Sequence, residues 1–403
     1  MKRLLLLSLL LLPTQLFAQD DLSQALWSDN IGESDKKDGD AKEPLMTNRL
    51  VFDVNSDNQY SATNSRDQYI DTKATAFLTS KVRLGENFSI KSNLRMERAN
   101  KVSEDDKRKS SVNGGGNRTF ENEEINVKEL TVNYDNKNLS LLAGKFIANF
   151  GDAWKIGRGI WSRELTSSYM QKDKLGLGAS YKMGNLQKTG LYNFGFAAFT
   201  NDRKNLDNSI LTQRDSDHKY DGKAGDTRSL QSYVASLDVN FNFGKKEELF
   251  YHFAYLNLAV NEKTSLVDQT KIEDQKGFVA NGKYLYPIGE NFLLDSFIEY
   301  VDMKNVGGDS DVRNKYVNAS LVGEIYQNWN VTLAATNIKN KVMDENGYDQ
   351  NFMEVSGGYK FAKTSIFDNF LVQIGYKNIR TNYKTSVNEQ QSYGVLARYV
   401  KAF

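Results

Sequence analysis

From Arg49 onward the chain alternates apolar and polar positions with a period of two. Thr72, Ala74, Ala76, Leu78 and Val82 alternate with Lys73, Thr75, Thr79, Lys81 and Arg83, and Phe88, Ile90, Leu94 and Met96 with Ser89, Lys91, Asn93, Arg95 and Glu97. Stretches 233–242 and 370–377 repeat the pattern. This period places successive side chains on opposite faces of a strand. About sixteen such runs occur, each close to the roughly 9–11 residues that a tilted membrane strand needs. They fall near 47–55, 70–83, 87–98, 123–134, 137–147, 174–183, 191–200, 230–242, 248–260, 276–286, 291–304, 314–324, 328–338, 351–362, 368–378 and 391–403. Two runs break phase, 123–134 near Lys128 and Glu129 and 248–260 across Tyr251 to Asn257. Their facing is left open, and a bulge is expected there.

The connections sort by length. Short ones at 85–86, 135–136, 184–190, 244–247, 287–290, Gln327 and 363–367 alternate with long ones at 56–69, 99–122, 148–173, 201–229, 261–275, 305–313, 339–350 and 379–390. Tight turns on one side and long loops on the other are the layout of an outer-membrane barrel. The expected fold is therefore all-β, a transmembrane antiparallel up-and-down β-barrel of sixteen strands over 47–403. Loop 148–173 is unlike its counterparts. It carries Trp154 and Trp161, several glycines, and the charges Asp152, Lys155, Arg158, Arg163 and Glu164. Aromatic mass gains nothing in water. The loop is predicted to fold inward, pack its aromatics on the wall and aim its charges at a pore constriction.

The start of the chain reads as a signal peptide over 1–18. Lys2 and Arg3 precede the apolar run Leu4 to Leu12, and Leu16-Phe17-Ala18 forms a cleavage site before Gln19. That run is too short for a membrane helix, and no other stretch is a continuous apolar run of that length. Segment 19–46 is polar and reads as a periplasmic leader. The 403 residues include no cysteine, which excludes disulfides, thiolate metal sites and a cysteine nucleophile. Only three prolines occur, Pro13, Pro44 and Pro287, as suits a chain that is mostly paired strand. The net charge of +1 gives no reason to expect a nucleic-acid partner. A mean hydropathy of −0.58 is compatible with a barrel, whose outward apolar and inward polar residues average away.

The inward charges also sort along the chain. Lys73, Lys81, Arg83, Lys91, Arg95 and Lys145 belong to the early strands, and Asp238, Asp295, Glu299 and Glu324 to the later ones. On facing walls of a cylinder these pore-lining sets would create a transverse field. Asp152 and Glu164 are suited to holding the loop, Lys145, Lys155, Arg158 and Arg163 to the constriction. His218 and His252 lie in no metal-ligand spacing, and the aspartates of 202–226 lack the order of a calcium loop. No metal site, cofactor or catalytic residue is expected. Tyr284, Tyr286, Phe292 and Tyr399 suit the aromatic girdles of a membrane barrel. Val395, Ala397, Tyr399 and the terminal Phe403 share one face of the last strand, with Lys401 among them.

The last strand is similar to the assembly signal of bacterial outer-membrane proteins, which implies the barrel-assembly machinery as a partner through Phe403. A second resemblance rests on Gly144-Lys145-Phe146, Phe150-Gly151, Arg163-Glu164-Leu165 and Lys174-Leu175-Gly176-Leu177-Gly178. With these motifs and its strand layout the chain resembles the sixteen-stranded, substrate-selective porins of Gram-negative outer membranes, including the phosphate-selective group. The resemblance implies a water-filled channel, a homotrimer, a loop folded into the pore, Lys145 in the lumen, and Lys155, Arg158 and Arg163 at the constriction. The basic set is thinner than phosphate-selective members carry, which argues against phosphate.

The function expected is that of an outer-membrane porin without enzymatic activity. It would pass small polar or anionic solutes by passive diffusion, in contact with the bilayer and its lipopolysaccharide. The alternatives are an uptake barrel for a specific ligand, a siderophore or an oligosaccharide, and an outer-membrane hydrolase. The hydrolase would need a serine and a histidine on the outer face at one depth.

Overall fold

The computed structural model describes residues 44–63, 68–98, 118–120, 123–186, 188–202, 224–244, 246–260, 272–342, 347–361 and 369–403. The signal peptide over 1–18, all but the end of the 19–46 leader, and His218 lie outside the described residues. The barrel strands are β1 (Met46–Ala62), β2 (Tyr69–Arg83), β3 (Phe88–Arg98), β4 (Glu123–Asp135), β5 (Leu139–Ala148), β6 (Gln171–Asn185), β7 (Gly190–Asn201) and β8 (Ser232–Gly244). They continue with β9 (Glu247–Leu258), β10 (Gln275–Ile288), β11 (Phe292–Lys304), β12 (Val312–Ile325), β13 (Trp329–Val342), β14 (Tyr348–Lys360), β15 (Phe370–Tyr383) and β16 (Val387–Ala402). Each strand pairs antiparallel with the next, and β16 returns to β1 with Arg49 opposite Ala402 and Ala62 opposite Gln390. The ring of sixteen is closed, so the barrel leaves no open edge in the bilayer. A two-residue ladder, Arg118–Thr119, adds in parallel to the upper end of β2.

The outer surface is apolar. Phe194, Phe196, Phe253, Leu333, Val355, Ile374 and Val395 are all exposed on it. Near the short turns, aromatic rings pair across strands, Trp329 with Tyr359 at 4.7 Å, Phe370 with Tyr399 at 5.3 Å and Phe88 with Tyr134 at 5.1 Å, and along β10, where Tyr284 stacks with Tyr286 at 5.7 Å. Such a girdle suits the membrane interface, where one side of a ring is wet.

Three connections are shorter than the alternation implied. β1 runs on to Ala62, β13 ends at Val342 with β14 starting at Tyr348, and only residues 384–386 separate β15 from β16. Both faces of these upper segments are wet, so the alternation lapses while pairing persists. Side chains still knit the ladder there: the Tyr60 hydroxyl donates to Gln391 Oε1 at 2.8 Å, and Asn378 Nδ2 donates to Glu389 Oε1 at 2.8 Å.

The two phase breaks have different causes. In β4 the register shifts between Asn93 and Leu94 of β3, leaving Lys128 as the extra residue of a bulge, with its Nζ 3.0 Å from Glu97. β9 pairs without a bulge across Tyr251 to Asn257, contrary to expectation. Tyr251, Phe253 and Tyr255 point outward while Ala254, Leu256 and Leu258 are buried on the lumenal side. The run is apolar on both faces because something packs on it from within.

Candidate functional site

That something is the connection between β5 and β6. Phe146, Phe150, Ala153, Ile156 and Tyr169 join Leu256, Val279, Phe297, Val301, Met303, Tyr316 and Ile338 of the wall in one buried cluster. The loop leaves β5 and lies along the inner faces of β9 to β16. Phe150 is fully buried against Gly277, and the Gly277 Cα leaves room for the ring: a Cβ there would stand 2.7 Å from it.

Two short helices follow, α1 (Ala153–Ile156) and α2 (Ser162–Thr166). Five wall side chains hold them and the turn that follows. Glu299 of β11 accepts from Asp152 N at 2.6 Å, from Ala153 N at 3.2 Å and from the Tyr169 hydroxyl. Asn281 donates to Glu299 at 2.9 Å and to Asp152 at 3.0 Å, and Asn318 donates to the Tyr169 hydroxyl at 2.9 Å. Asp295 accepts from Arg158 Nε at 3.2 Å and Nη2 at 3.0 Å, with Lys283 3.5 Å away. Glu354 of β14 accepts from Ile160 N at 2.6 Å and Trp161 N at 3.1 Å. Gly159, at φ +105°, lies against this carboxylate, where a side chain would collide with it.

Trp161, 1 % exposed, then seats in a notch left by Gly375 of β15 and Gly394 of β16. Lys377 stands 5.0 Å from its ring and bridges Asp57 at 2.6 Å and Glu164 at 3.2 Å, and Lys73 reaches Glu164 at 3.9 Å. The loop thus spans from its root at β5 to the walls of β14 to β16 and β2.

On the loop itself Asp152 is ion-paired with Lys155. Burial pushes the Asp152 carboxyl up, but the Lys155 ammonium and His252 outweigh it and hold the group below its ordinary value of 3.8. Burial pulls Lys155 down, and Asp152 more than restores it, so the ammonium is stabilised. Burial, with the Glu299 carboxylate beside it, raises Tyr169 well above a free phenol and keeps its hydroxyl a donor.

The sequence-predicted residues fall into two groups. Asp152, Lys155, Arg158, Glu164, Asp295 and Glu299 come together at the loop–wall contact described above. Asp238 joins them from β8, with His252 Nδ1 at 2.6 Å and Asn193 at 3.1 Å. Asp295 and Glu299 are 2 % and 0 % exposed, so these acids do not face water as a transverse field requires. Glu324 is half-buried on β12, opposite Asn330 of β13. Arg163 is half-buried on α2.

Lys145 is 1 % exposed and lies 3.1 Å from Asp173 and 3.2 Å from Asp202, enclosed in ion pairs rather than presented to an open lumen. Apart from Lys73, which reaches Glu164, the remaining predicted basic residues are not part of that contact. Lys81 is exposed and Arg83 half-exposed, Lys91 pairs with Glu129 at 3.3 Å, and Arg95 pairs with Glu97 at 2.9 Å and lies over the Phe77 ring at 4.6 Å.

Sequence reasoning missed Glu354, Lys377, Asp57, Asn281 and Tyr169. A signal existed for two of them: Glu354 and Lys377 are isolated charges on the inner faces of otherwise neutral strand segments. Gly375 and Gly394, both inward, were the trace of a docked ring.

No family model and no curated protein matches the sequence. Among solved structures, the outer membrane channel DcaP of Acinetobacter baumannii is 13 % identical, over 88 % of this chain and 96 % of that one, at a TM-score of 0.51. OccAB4 of Acinetobacter baumannii is 9 % identical over 91 % and 100 %, at 0.49. An anion-selective porin from Comamonas acidovorans is 11 % identical over 88 % and 98 %, at 0.47.

Proposed function

This chain is an outer-membrane β-barrel with the fold of the sixteen-stranded porins, and from that premise we propose that it is a passive diffusion channel for small polar and anionic solutes, narrowed by loop 148–173. One observation carries the reading. The loop packs on the β9 to β16 half of the wall and engages the acids of that half, Asp295, Glu299 and Glu354, in hydrogen bonds. Away from that packing, β2 and β3 carry Lys81, Arg83, Lys91 and Arg95, with Lys91 and Arg95 paired to Glu129 and Glu97, while Lys73 of β2 reaches Glu164 of the loop. A water-filled passage beside a basic wall favours anions over cations. Arg163 and Lys155 add positive charge on the loop itself.

In the same reading the protein assembles as a homotrimer in contact with lipopolysaccharide and is inserted by the barrel-assembly machinery through the strand that ends at Phe403. His252 is fully buried on the lumenal side, so it does not supply the outer-face histidine that a hydrolase would need.

The test is single-channel recording of the purified protein in planar bilayers, with reversal potentials measured in a salt gradient. The reading requires ohmic current and a reversal potential of the sign that favours chloride over potassium. Absence of conductance would remove it.

A further inference from the structure

A cavity of about 430 Å³ opens above the loop, between α2 and the upper ends of β9 to β14. It lies off the basic wall, on the side where the long connections are. Leu165, Tyr316 and Tyr348 give it apolar surface, and Gln171, Gln275 and Gln350 give it amides. Apolar surface is out of place in a water-filled lumen, which is ordinarily polar. Part of it is explained by the packing of the loop, since Tyr316 is buried with Tyr169 at a ring distance of 4.9 Å. Leu165 and Tyr348 are only half-buried and remain available.

The amides are oriented in advance. Gln171 Nε2 donates to Tyr169 O at 2.9 Å, Gln350 Nε2 donates to Thr381 Oγ1 at 2.9 Å, and Gln275 Oε1 accepts from Gly307 N at 2.7 Å. Each lines the cavity and is anchored by one of these bonds. The charged lining residue, Glu164, is already engaged by Lys377 and Lys73.

We propose that this cavity is a binding station for a neutral, saccharide-like solute, a ring with an apolar face and hydroxyl groups around its rim. The proposal rests on the channel reading and names a solute class for it. Amides both donate and accept, which matches hydroxyls rather than a carboxylate or an ammonium. A charged solute would enter with no free counter-charge to meet it, and a buried unpaired charge is costly. Flat apolar ring faces pack on tyrosine and leucine while their hydroxyls stay hydrogen-bonded. The volume falls within the range of about 300–1,000 Å³ usual for small-molecule sites.

Bilayer recording with maltose and sucrose tests this, with sodium benzoate as the charged comparison. Sugar added on the side of the long loops reduces the ionic current saturably, and benzoate does not. Tyr348→Ala and Gln350→Ala, each normalised to its own sugar-free current, weaken the apparent affinity by about ten-fold, as expected for one lost contact of that kind. Normal conductance with no saturable sugar effect, or stronger block by benzoate, overturns the proposal and leaves the channel intact. Loss of conductance in the parent protein strikes the channel reading instead.

Discussion

Glu354 takes two backbone N–H groups from the loop at a point where no basic side chain among the described residues pairs with it. Glu354→Ala strands both donors, at a cost of about 1–3 kcal/mol each where they stay buried. The expected outcome is a noisier channel of higher mean conductance, and Glu354→Gln, which keeps one acceptor oxygen, falls between the variant and the parent. Asp152 makes a prediction with a pH window. Its carboxyl is held below the ordinary 3.8, so its contribution is fully present above that value and is lost as pH falls through the depressed one. Asp152→Asn therefore alters the channel at pH 7, and its difference from the parent disappears in strongly acidic solution. A difference that persists unchanged at low pH would show that the Asp152 charge is not what holds this end of the loop.

At the scale of the element, loop 148–173 acts as a strap fastened at both ends. Its root is the Phe150 and Glu299 contact, and its far end is the ring of Trp161 in the glycine notch. Trp161→Ala removes a buried ring, at about 3–5 kcal/mol, and Gly394→Val fills the notch from the wall side. Both changes are expected to raise single-channel conductance, since both unseat the same end of the loop. The double variant gains little beyond either single one, because the two residues act as a unit. Equal conductance in Trp161→Ala and the parent would mean that this end of the loop does not limit the current. The interior placement of the element was legible from Trp154, Trp161 and the charges beside them. Its landing points were not, because Glu354, Gly375 and Gly394 lie far along the chain, and an inward charge or glycine on a strand does not say which remote segment docks on it.

For the whole molecule, the division of the lumen decides selectivity. Replacing Lys81, Lys91 and Arg95 together by glutamine shifts the reversal potential toward cations, because these residues line the half that the loop leaves open. Asp295→Asn shifts it far less, since the carboxylate is 2 % exposed and already bound to Arg158. A larger shift from Asp295→Asn than from the triple replacement would place the conduit on the other side of the loop. Closure itself is independent of this asymmetry. The β1–β16 ladder, from Arg49 and Ala402 to Ala62 and Gln390, satisfies the backbone of the first and last strands in a medium that offers no water.

What the sequence determined by itself was the wall. Every strand meets lipid on one side and the lumen on the other, so the two solvents write a period of two into each run, and the lengths of most connections, though not of the one between β15 and β16, record which end they occupy. That record fades where both sides of a strand are wet, as above Asn58, and where both are dry, as in β9. Only the tertiary structure decided which inward charges meet water. Asp295, Glu299 and Lys145 have the same one-dimensional signature as Lys81, yet the first three are buried in hydrogen bonds or ion pairs and the last is exposed. Whether a lumenal charge is free depends on what lands upon it, and the groups that land there come from segments remote in the chain.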